Sequence, residues 1–530
     1  MHHAFAIFLV LAINSCNSKQ KSENGRFEKQ SILLLDSATN SVLVGNFNNQ
    51  NNIEFDSTWI ERFISIHPSF TELKKELINF YSNRGYTYAW HKQGGLIEQT
   101  NILHNRIIQL IDHGIPYDAP YLEEYKKMME SKYDGNITTR ELMITCQYLS
   151  YANSVLDGLN EKDSKANEWF IPRKKSNYDT LLKSLLHGET NEIEKLMYPE
   201  YLKLQEKLKA YSVIEKNNTW KRIPFEKKPL HLADTSYTIS LVRKKLYLLG
   251  DIEKDNGSSL FDSTLSDGIK KFQIRHGLTS DGIIGQNIKD EINIPIAERI
   301  KTIIINMERC KWLPNETDQD HIIVNIPEFT LEAFKKDSLI FQCNVVVGKE
   351  TNKTMIFKGD MKYIVFSPFW NVPESIIKKE IIPAINKNPN YLSINKMEWV
   401  DGQMRQLPGP ENSLGLVKFI FPNIYNIYLH DTPAKSLFKL ERRTFSHGCI
   451  RISEPRKMIK FLLNDDPTLP DEKIEEYLHG GKEKYVVLKK PVPVYIIYLT
   501  SFVDENGLLN FRRDIYGRDP GLKEMIFDKK

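Results

Sequence analysis

Cysteine is scarce. Five residues in 530 cannot build a disulfide framework, and the odd count leaves at least one thiol unpaired or modified. No charge of one sign dominates: 72 Lys and Arg face 68 Asp and Glu, a net charge of +4, which excludes the electrostatic excess of a dedicated nucleic-acid binder. Long apolar runs are also missing. The longest, Ala4 to Ile13, has ten residues, half of the roughly 20 that cross a bilayer as a helix. Glycine (26) and proline (24) are too few for a collagenous or low-complexity chain. What remains is globular composition, 41% hydrophobic and 26% charged, and at about 100–200 residues per domain the length implies three or four domains.

The ten-residue apolar run reads as a signal-peptide core. Asn14-Ser15-Cys16 and a polar stretch follow it, an arrangement that resembles the lipobox of bacterial lipoproteins, in which Cys16 would become the lipidated first residue after cleavage. Residues 1–16 are then a signal peptide and the expected location is periplasmic, held to a membrane through Cys16; simple secretion is the alternative. Residues 17–52, rich in Asn, Ser and Lys, read as a flexible tether.

From 53 to 232 the apolar period is helical, with Leu103, Ile107, Leu110 and Ile111 on one stripe and Leu142, Cys146, Leu149, Ala152 and Leu156 on another. Cys146 therefore reads as a buried hydrophobe. Residues 236–293 predict a compact unit of three helices, punctuated by Gly250, Gly277 and Asp281-Gly282. This stretch, with Ile269-Lys270-Lys271-Phe272-Gln273 and the Gly277 to Gly285 turn, resembles the type 1 peptidoglycan-binding module. A connecting helix is expected over 299–318. Beyond it the period changes from 3.6 to 2, predicting a strand-rich domain over 320–493 with strands at Ile322 to Ile326, Phe329 to Phe334, Leu339 to Val347, Tyr363 to Phe366, Val417 to Phe421 and Ile424 to His430. Cys310 and Cys343 read as packing residues for which a disulfide is conceivable. Residues 374–415 form a long polar insertion, expected to be a lid that covers the site and orders with substrate. The segment 494–530 is expected to pack back on the scaffold.

The chemistry is concentrated in Tyr428-Leu429-His430-Asp431-Thr432-Pro433 and Ser446-His447-Gly448-Cys449-Ile450-Arg451. On an extended strand Tyr428 and His430 share a face, which frees the His430 ring to work at the strand's end. Gly448 permits a tight turn with uncovered backbone N–H groups, as an oxyanion pocket requires. Ser453-Glu454-Pro455 reads as a helix start, so Cys449 lies in a loop just upstream. A free thiol with a pKa of about 8.5 is only about 3% thiolate at pH 7, so a nucleophilic cysteine needs a base or a cation beside it. His447 stands two residues before Cys449 and His430 nineteen; spacing alone does not choose between them.

The pattern of His430, fifteen intervening residues, Ser446-His447-Gly448-Cys449, an aliphatic residue and Arg451 resembles the signature of the L,D-transpeptidase catalytic (YkuD) domain. Val345 to Lys349, Ser367 to Pro373, Asn426 to Pro433 and the domain order resemble the YcbB-like subfamily. The resemblance implies a multidomain α+β chain: a helical scaffold domain, a small three-helix peptidoglycan-binding-like module and a mostly-β catalytic domain. It implies Cys449 as nucleophile, His430 as general base and later acid, held by the Asp431 carbonyl, and His447 and Gly448 shaping the oxyanion pocket with the Cys449 N–H. Arg451 would favour thiolate or hold a substrate carboxylate, while Tyr428, Ser446 and Trp370 would line the site. The implied partners are tetrapeptide donor stems, diamino-acid acceptors and carbapenem-type inhibitors, with no metal, organic cofactor or nucleic acid. The implied product is a 3→3 peptidoglycan cross-link made through a thioester. L,D-carboxypeptidase action and attachment of a protein to peptidoglycan are open alternatives, as is a non-catalytic wall-binding lipoprotein. A zinc site from His430, His447 and Cys449 lacks ligand spacing. Ser375-Ile376-Ile377-Lys378 and Ser436-Leu437-Phe438-Lys439 match S-x-x-K without the other serine-transpeptidase motifs.

Overall fold

The periodic apolar positions of the N-terminal half fold as helices. Helix α1 (Ile137–Leu156) is started by Asn136, whose side-chain oxygen accepts the Thr139 N–H at 2.9 Å. Leu142, Cys146, Leu149, Ala152 and Leu156 are buried on it, and so are Met143, Ile144 and Tyr148 on its other faces. A helix buried on several faces is enclosed by others, here by Thr58–Ile66, Gln99–Ile108, Leu122–Met129 and Tyr178–Leu186. One expected core residue departs: the helix through Leu103 and Ile107 ends at Ile108, the chain tightens to 3₁₀ over Leu110–His113, and Ile111 swings out to solvent. The computed structural model describes residues 53–528 apart from 175, 218–219, 316–317 and 464–465. The expected signal peptide, Cys16 and the tether at 17–52 lie outside the described residues.

Helix α2 (Pro199–Lys216) closes the helical region. A separate small core follows in α3 (Tyr237–Leu249), α4 (Ser263–Arg275) and α5 (Gln286–Ile292), built on Ile239, Leu246, Phe261, Leu265, Phe272 and Ile288. The expected connector is instead a core element. Helix α6 (Ile296–Lys311) buries Ile303, Ile304, Ile305, Met307 and Cys310 and packs along α2. Just after it, Trp312 meets Trp169 edge-on at 5.3 Å, and the scaffold helices and the strand-rich domain share one continuous hydrophobic core.

That domain has strands β1 (His321–Asn325), β2 (Thr330–Lys335), β3 (Ser338–Gly348) and β4 (Lys358–Phe366). The cap contributes β5 (Trp370–Asn371), β6 (Met397–Val400) and β7 (Gln403–Gln406). Then come β8 (Val417–Ile420), β9 (Leu429–His430), β10 (Thr444–Ser446), β11 (Ile450–Ile452) and β12 (Lys484–Ile497). The main sheet runs β10-β3-β11-β9-β8-β4-β12-β1-β2, and β2 also pairs with β3, which closes the sheet on itself. The strand expected over Ile424 to His430 is only its last two residues, because Asn423–Asn426 make a turn held by the Asn423 side chain. The boundary at 493 divides a strand: Val494–Ile497 pair in parallel with Ile322–Asn325 inside the sheet. Past β12, the hairpin Ser501–Val503 and Leu509–Phe511 reaches α2 and α6, and the helix Asp519–Phe527 reaches α6. Cys146, Cys310, Cys343 and Cys449 are all free thiols, so the conceivable Cys310–Cys343 disulfide is not formed.

The insertion is a folded cap rather than a loop awaiting a ligand. Residues 374–387 are helical with a π-turn at Ile377–Ile381 ahead of Pro383, whose missing N–H disrupts the ordinary ladder. Val372, Ile376, Ile377, Ile381 and Met404 form the cap's own core over β5-β7-β6. The buried Asn412 amide donates to the carbonyls of Pro368 (3.1 Å) and Leu407 (2.9 Å), drawing the ends of the insertion together.

Candidate active site

Strands β9 and β11 run parallel, with Leu429 opposite Ile450 and His430 opposite Arg451. Because side chains alternate, Leu429, Ile450 and Ile452 point into the core, each 0% exposed. Tyr428, His430, Cys449 and Arg451 therefore fall together on the other face. The Tyr428 and His430 rings are 5.7 Å apart, and the Ile450 N–H donates to the Tyr428 carbonyl at 3.1 Å. Cys449 does lie in a loop, but the short strand β11 stands between it and the helix Pro455–Leu463.

The nucleophile loop is held at each peptide. Ser446 Oγ donates to the Cys449 carbonyl at 2.5 Å and accepts the Gly448 N–H at 3.1 Å. Gly448 has φ +115°, a conformation that side chains resist, and its carbonyl accepts the Thr354 hydroxyl at 2.9 Å. The Gly448 N–H expected to face an oxyanion is thus committed to Ser446. The Cys449 thiol is partly exposed and donates to the Asn426 carbonyl at 3.6 Å.

His430 is buried, and its Nδ1 lies 2.5 Å from the Asp431 carbonyl oxygen. That contact makes Nδ1 the protonated nitrogen and leaves Nε2 as the acceptor. Burial, then the nearby Arg451 guanidinium, push the imidazole down to about 3. Burial likewise raises the Cys449 thiol, opposed by Tyr428 and by Arg451. The pair is therefore thiol and neutral imidazole at neutral pH, not an ion pair. Asp431 is in turn fixed: its carboxylate accepts the Leu416 N–H at 3.0 Å and pairs with Lys435. Gly415 (φ +64°) passes so close that a Cβ there would lie 2.4 Å from Asp431 Oδ2.

His447 turns away from this cluster. Its Nε2 meets Glu380 Oε1 of the cap's π-turn at 2.7 Å, so its side chain ties the cap to the nucleophile loop. Trp370, expected to line the site, packs against the cap's core from β5. Among the described residues no group of three or more His, Cys, Asp or Glu side chains is placed to hold a metal ion.

Residues 319–485 match the family of the L,D-transpeptidase catalytic domain, and residues 75–208 match the family called the scaffold domain. The strand-rich domain is an L,D-transpeptidase catalytic domain. A Haemophilus influenzae protein that carries the L,D-transpeptidase name is 27% identical over 238 residues, 41% of this chain, and the chain spans about half (48%) of that relative's length. Among solved structures, an L,D-transpeptidase of Xylanimonas cellulosilytica is 12% identical, with 52% of this chain and 100% of that one covered and a TM-score of 0.18. One of Stackebrandtia nassauensis is 15% identical, with 51% and 94% covered and a TM-score of 0.21.

Within the L,D-transpeptidase domain the structure adds residues that the sequence reading passed over. Glu380 lay in a segment read only as a polar insertion. Thr354 bonds the nucleophile loop and Tyr516 holds Thr354 in turn, 95 and 67 residues from Cys449. Thr354 sits outside every motif, and Tyr516 lies in a segment assigned to the scaffold side. Only a three-dimensional contact brings them in.

Proposed function

We propose that this protein is a cysteine L,D-transpeptidase that forms 3→3 peptidoglycan cross-links through a thioester on Cys449. The observation that supports the reading is the shared face of β9 and β11, which carries both a partly exposed thiol and a histidine whose tautomer is fixed by the Asp431 carbonyl. In the first half-reaction Cys449 Sγ attacks the carbonyl of the L-centre before the terminal D-Ala, and its proton passes to His430 Nε2. The C–N bond then breaks, and the leaving D-Ala amine takes that proton. In the second, the side-chain amine of a diamino acid on another stem attacks the thioester, loses a proton to His430, and Cys449 leaves as thiol. With the Gly448 N–H occupied, the Cys449 N–H supports the tetrahedral oxyanion, a contribution of order 10²–10³ in rate.

Arg451, whose Nε is buried without a partner, suits a substrate carboxylate. Peptidoglycan binding by the α3–α5 module, and a lipid on Cys16 that keeps the enzyme in the periplasm, belong to the same reading. They rest on the 236–293 resemblance and on the apolar run before Cys16.

Mass spectrometry of products from disaccharide-tetrapeptide tests it, with Cys449→Ala and His430→Ala as controls. Dimers joined 3→3 that vanish in both variants are expected. Tripeptide without dimer would make the protein an L,D-carboxypeptidase, and the absence of both turnover and a Cys449 adduct would leave a non-catalytic wall-binding protein.

A further inference from the structure

The C-terminal segment reaches the nucleophile loop through a closed chain of hydrogen bonds. Tyr516, buried beyond β12, donates its hydroxyl proton to the Gly348 carbonyl at 2.7 Å and accepts the Thr354 N–H at 3.2 Å. Thr354, 0% exposed, accepts the Gly348 N–H at 2.9 Å on its own hydroxyl and donates to the Gly448 carbonyl at 2.9 Å. Every donor and acceptor in this relay is used once, so neither hydroxyl can reverse direction without leaving a buried group unpaired. Tyr516 is itself fixed: its N–H donates to Tyr498 Oη at 2.9 Å, and the two rings stack at 5.9 Å.

The consequence follows from peptide planarity. The Gly448 carbonyl and the Cys449 N–H belong to one trans peptide unit and point in opposite directions. Fixing the carbonyl on Thr354 therefore fixes the direction of the Cys449 N–H on the other side of the plane. At φ +115° Gly448 has the rotational freedom to lose that direction if the carbonyl is released. Ser446 holds the flanking groups, the Gly448 N–H and the Cys449 carbonyl, and makes no bond to this peptide's own C=O or N–H.

We propose that Thr354 and Tyr516 are positioning residues that aim the Cys449 N–H at the developing oxyanion, which makes residues beyond 485 part of the catalytic apparatus. The inference rests on the acyl-transfer reading above. It concerns a group needed to stabilise a tetrahedral intermediate but not needed merely to form or alkylate the thiolate.

That difference supplies the test. The full-length protein and its Tyr516→Phe, Thr354→Val and Thr354→Ser variants are compared in two reactions of the same thiol: acylation by a carbapenem, which passes through an oxyanion, and alkylation by iodoacetamide, which does not. Tyr516→Phe is expected to slow acylation about tenfold and Thr354→Val about a hundredfold, bounded by the 10²–10³ of a whole oxyanion donor. Alkylation should stay within twofold, and Thr354→Ser should recover most of the acylation rate. Acylation unchanged in Tyr516→Phe and Thr354→Val, or acylation and alkylation falling in parallel, would overturn the proposal. A wild-type protein that alkylates but never acylates would overturn the acyl-transfer reading and this inference with it, an outcome distinct from wild-type acylation that the variants leave intact.

Discussion

The neutral thiol–imidazole pair makes a quantitative statement about pH. Burial raises Cys449 and pushes His430 down to about 3, so between pH 5 and 8 neither group changes charge to an appreciable extent. With the thiol above its ordinary value, the thiolate fraction at pH 7 is below the roughly 3% of a free cysteine. The rate of iodoacetamide alkylation should therefore climb about tenfold per pH unit from pH 6 upward, with no step near the ordinary histidine value. An imidazolium–thiolate pair would instead be reactive from about pH 4 and flat through neutrality. Arg451 adds a second arm, because its guanidinium lowers both partners. Its removal in Arg451→Gln raises the thiol further, so the alkylation curve should move to higher pH and the rate at pH 8 should fall several-fold. A plateau between pH 5 and 8 in the wild-type protein would refute the neutral-pair assignment. A curve that moves to lower pH in Arg451→Gln would refute the role given to the guanidinium.

Other consequences can be checked in parallel. Gly415→Ala imposes a left-handed φ on a side chain and drives its Cβ into Asp431; at about 1 kcal/mol for the conformation and 1–3 for the overlap it should cost about 2–4 kcal/mol in urea denaturation. It should also slow acylation at least tenfold through the His430 anchor, and a loss under 0.5 kcal/mol would contradict the contact. Glu380→Gln weakens the link between cap and His447, so hydrogen exchange over 374–387 should quicken while thermal stability holds; unchanged exchange would mean that the link does not restrain the cap. Glu200 is half-buried, accepts the Val503 N–H, and is raised to about 7 by desolvation against the opposing pull of Lys203, so its charge opposes folding above that pH and not below 4.5. Glu200→Gln should therefore match wild-type stability at pH 4.5 and exceed it at pH 8 by up to about 3 kcal/mol, at about 1.4 kcal/mol per pH unit. Equal stability at both values would show that the carboxylate is solvated.

Much of the architecture was legible because it rests on local periodicity. The stripe through Leu142 and Leu156 marked α1, and the alternation at Ile322 to Ile326 marked β1. The Gly and Asp punctuation of 236–293 marked three helices with a core of their own. What failed was what depends on who covers an element. Helix α6 carries an amphipathic pattern that reads as a connector, yet α2 on one side and the C-terminal helix on the other bury it. The boundary placed at 493 falls inside β12, because its last part, Val492 to Ile497, is buried on both faces and gives no alternation to show where the strand ends. The long insertion was read as a loop from its polar residues, whereas five scattered apolar side chains from Val372 to Met404 suffice for a small core.

The site divides along the same line, and the division shows how it is built. His430 and Cys449 were legible as a motif because each must carry its own chemistry, whatever the neighbours. Their relative placement was half legible: alternation put Tyr428 and His430 on one face, and only the parallel register of Leu429 with Ile450 brings Cys449 and Arg451 to that same face. Of the groups that hold the motif, only the Asp431 carbonyl behind His430 is anticipated, and that through the family resemblance. Thr354 acts on Gly448 through a hydroxyl and Asp431 on His430 through a backbone carbonyl. These are groups that many side chains or any peptide could supply, so no residue pattern is demanded. For His447, expected from the resemblance to shape the oxyanion pocket, the tie of its imidazole to the cap becomes visible only in the contact with Glu380. A motif thus identifies the reacting atoms, while the direction of each reacting bond is set by segments far off in sequence, from the 348–354 turn to the tail beyond β12.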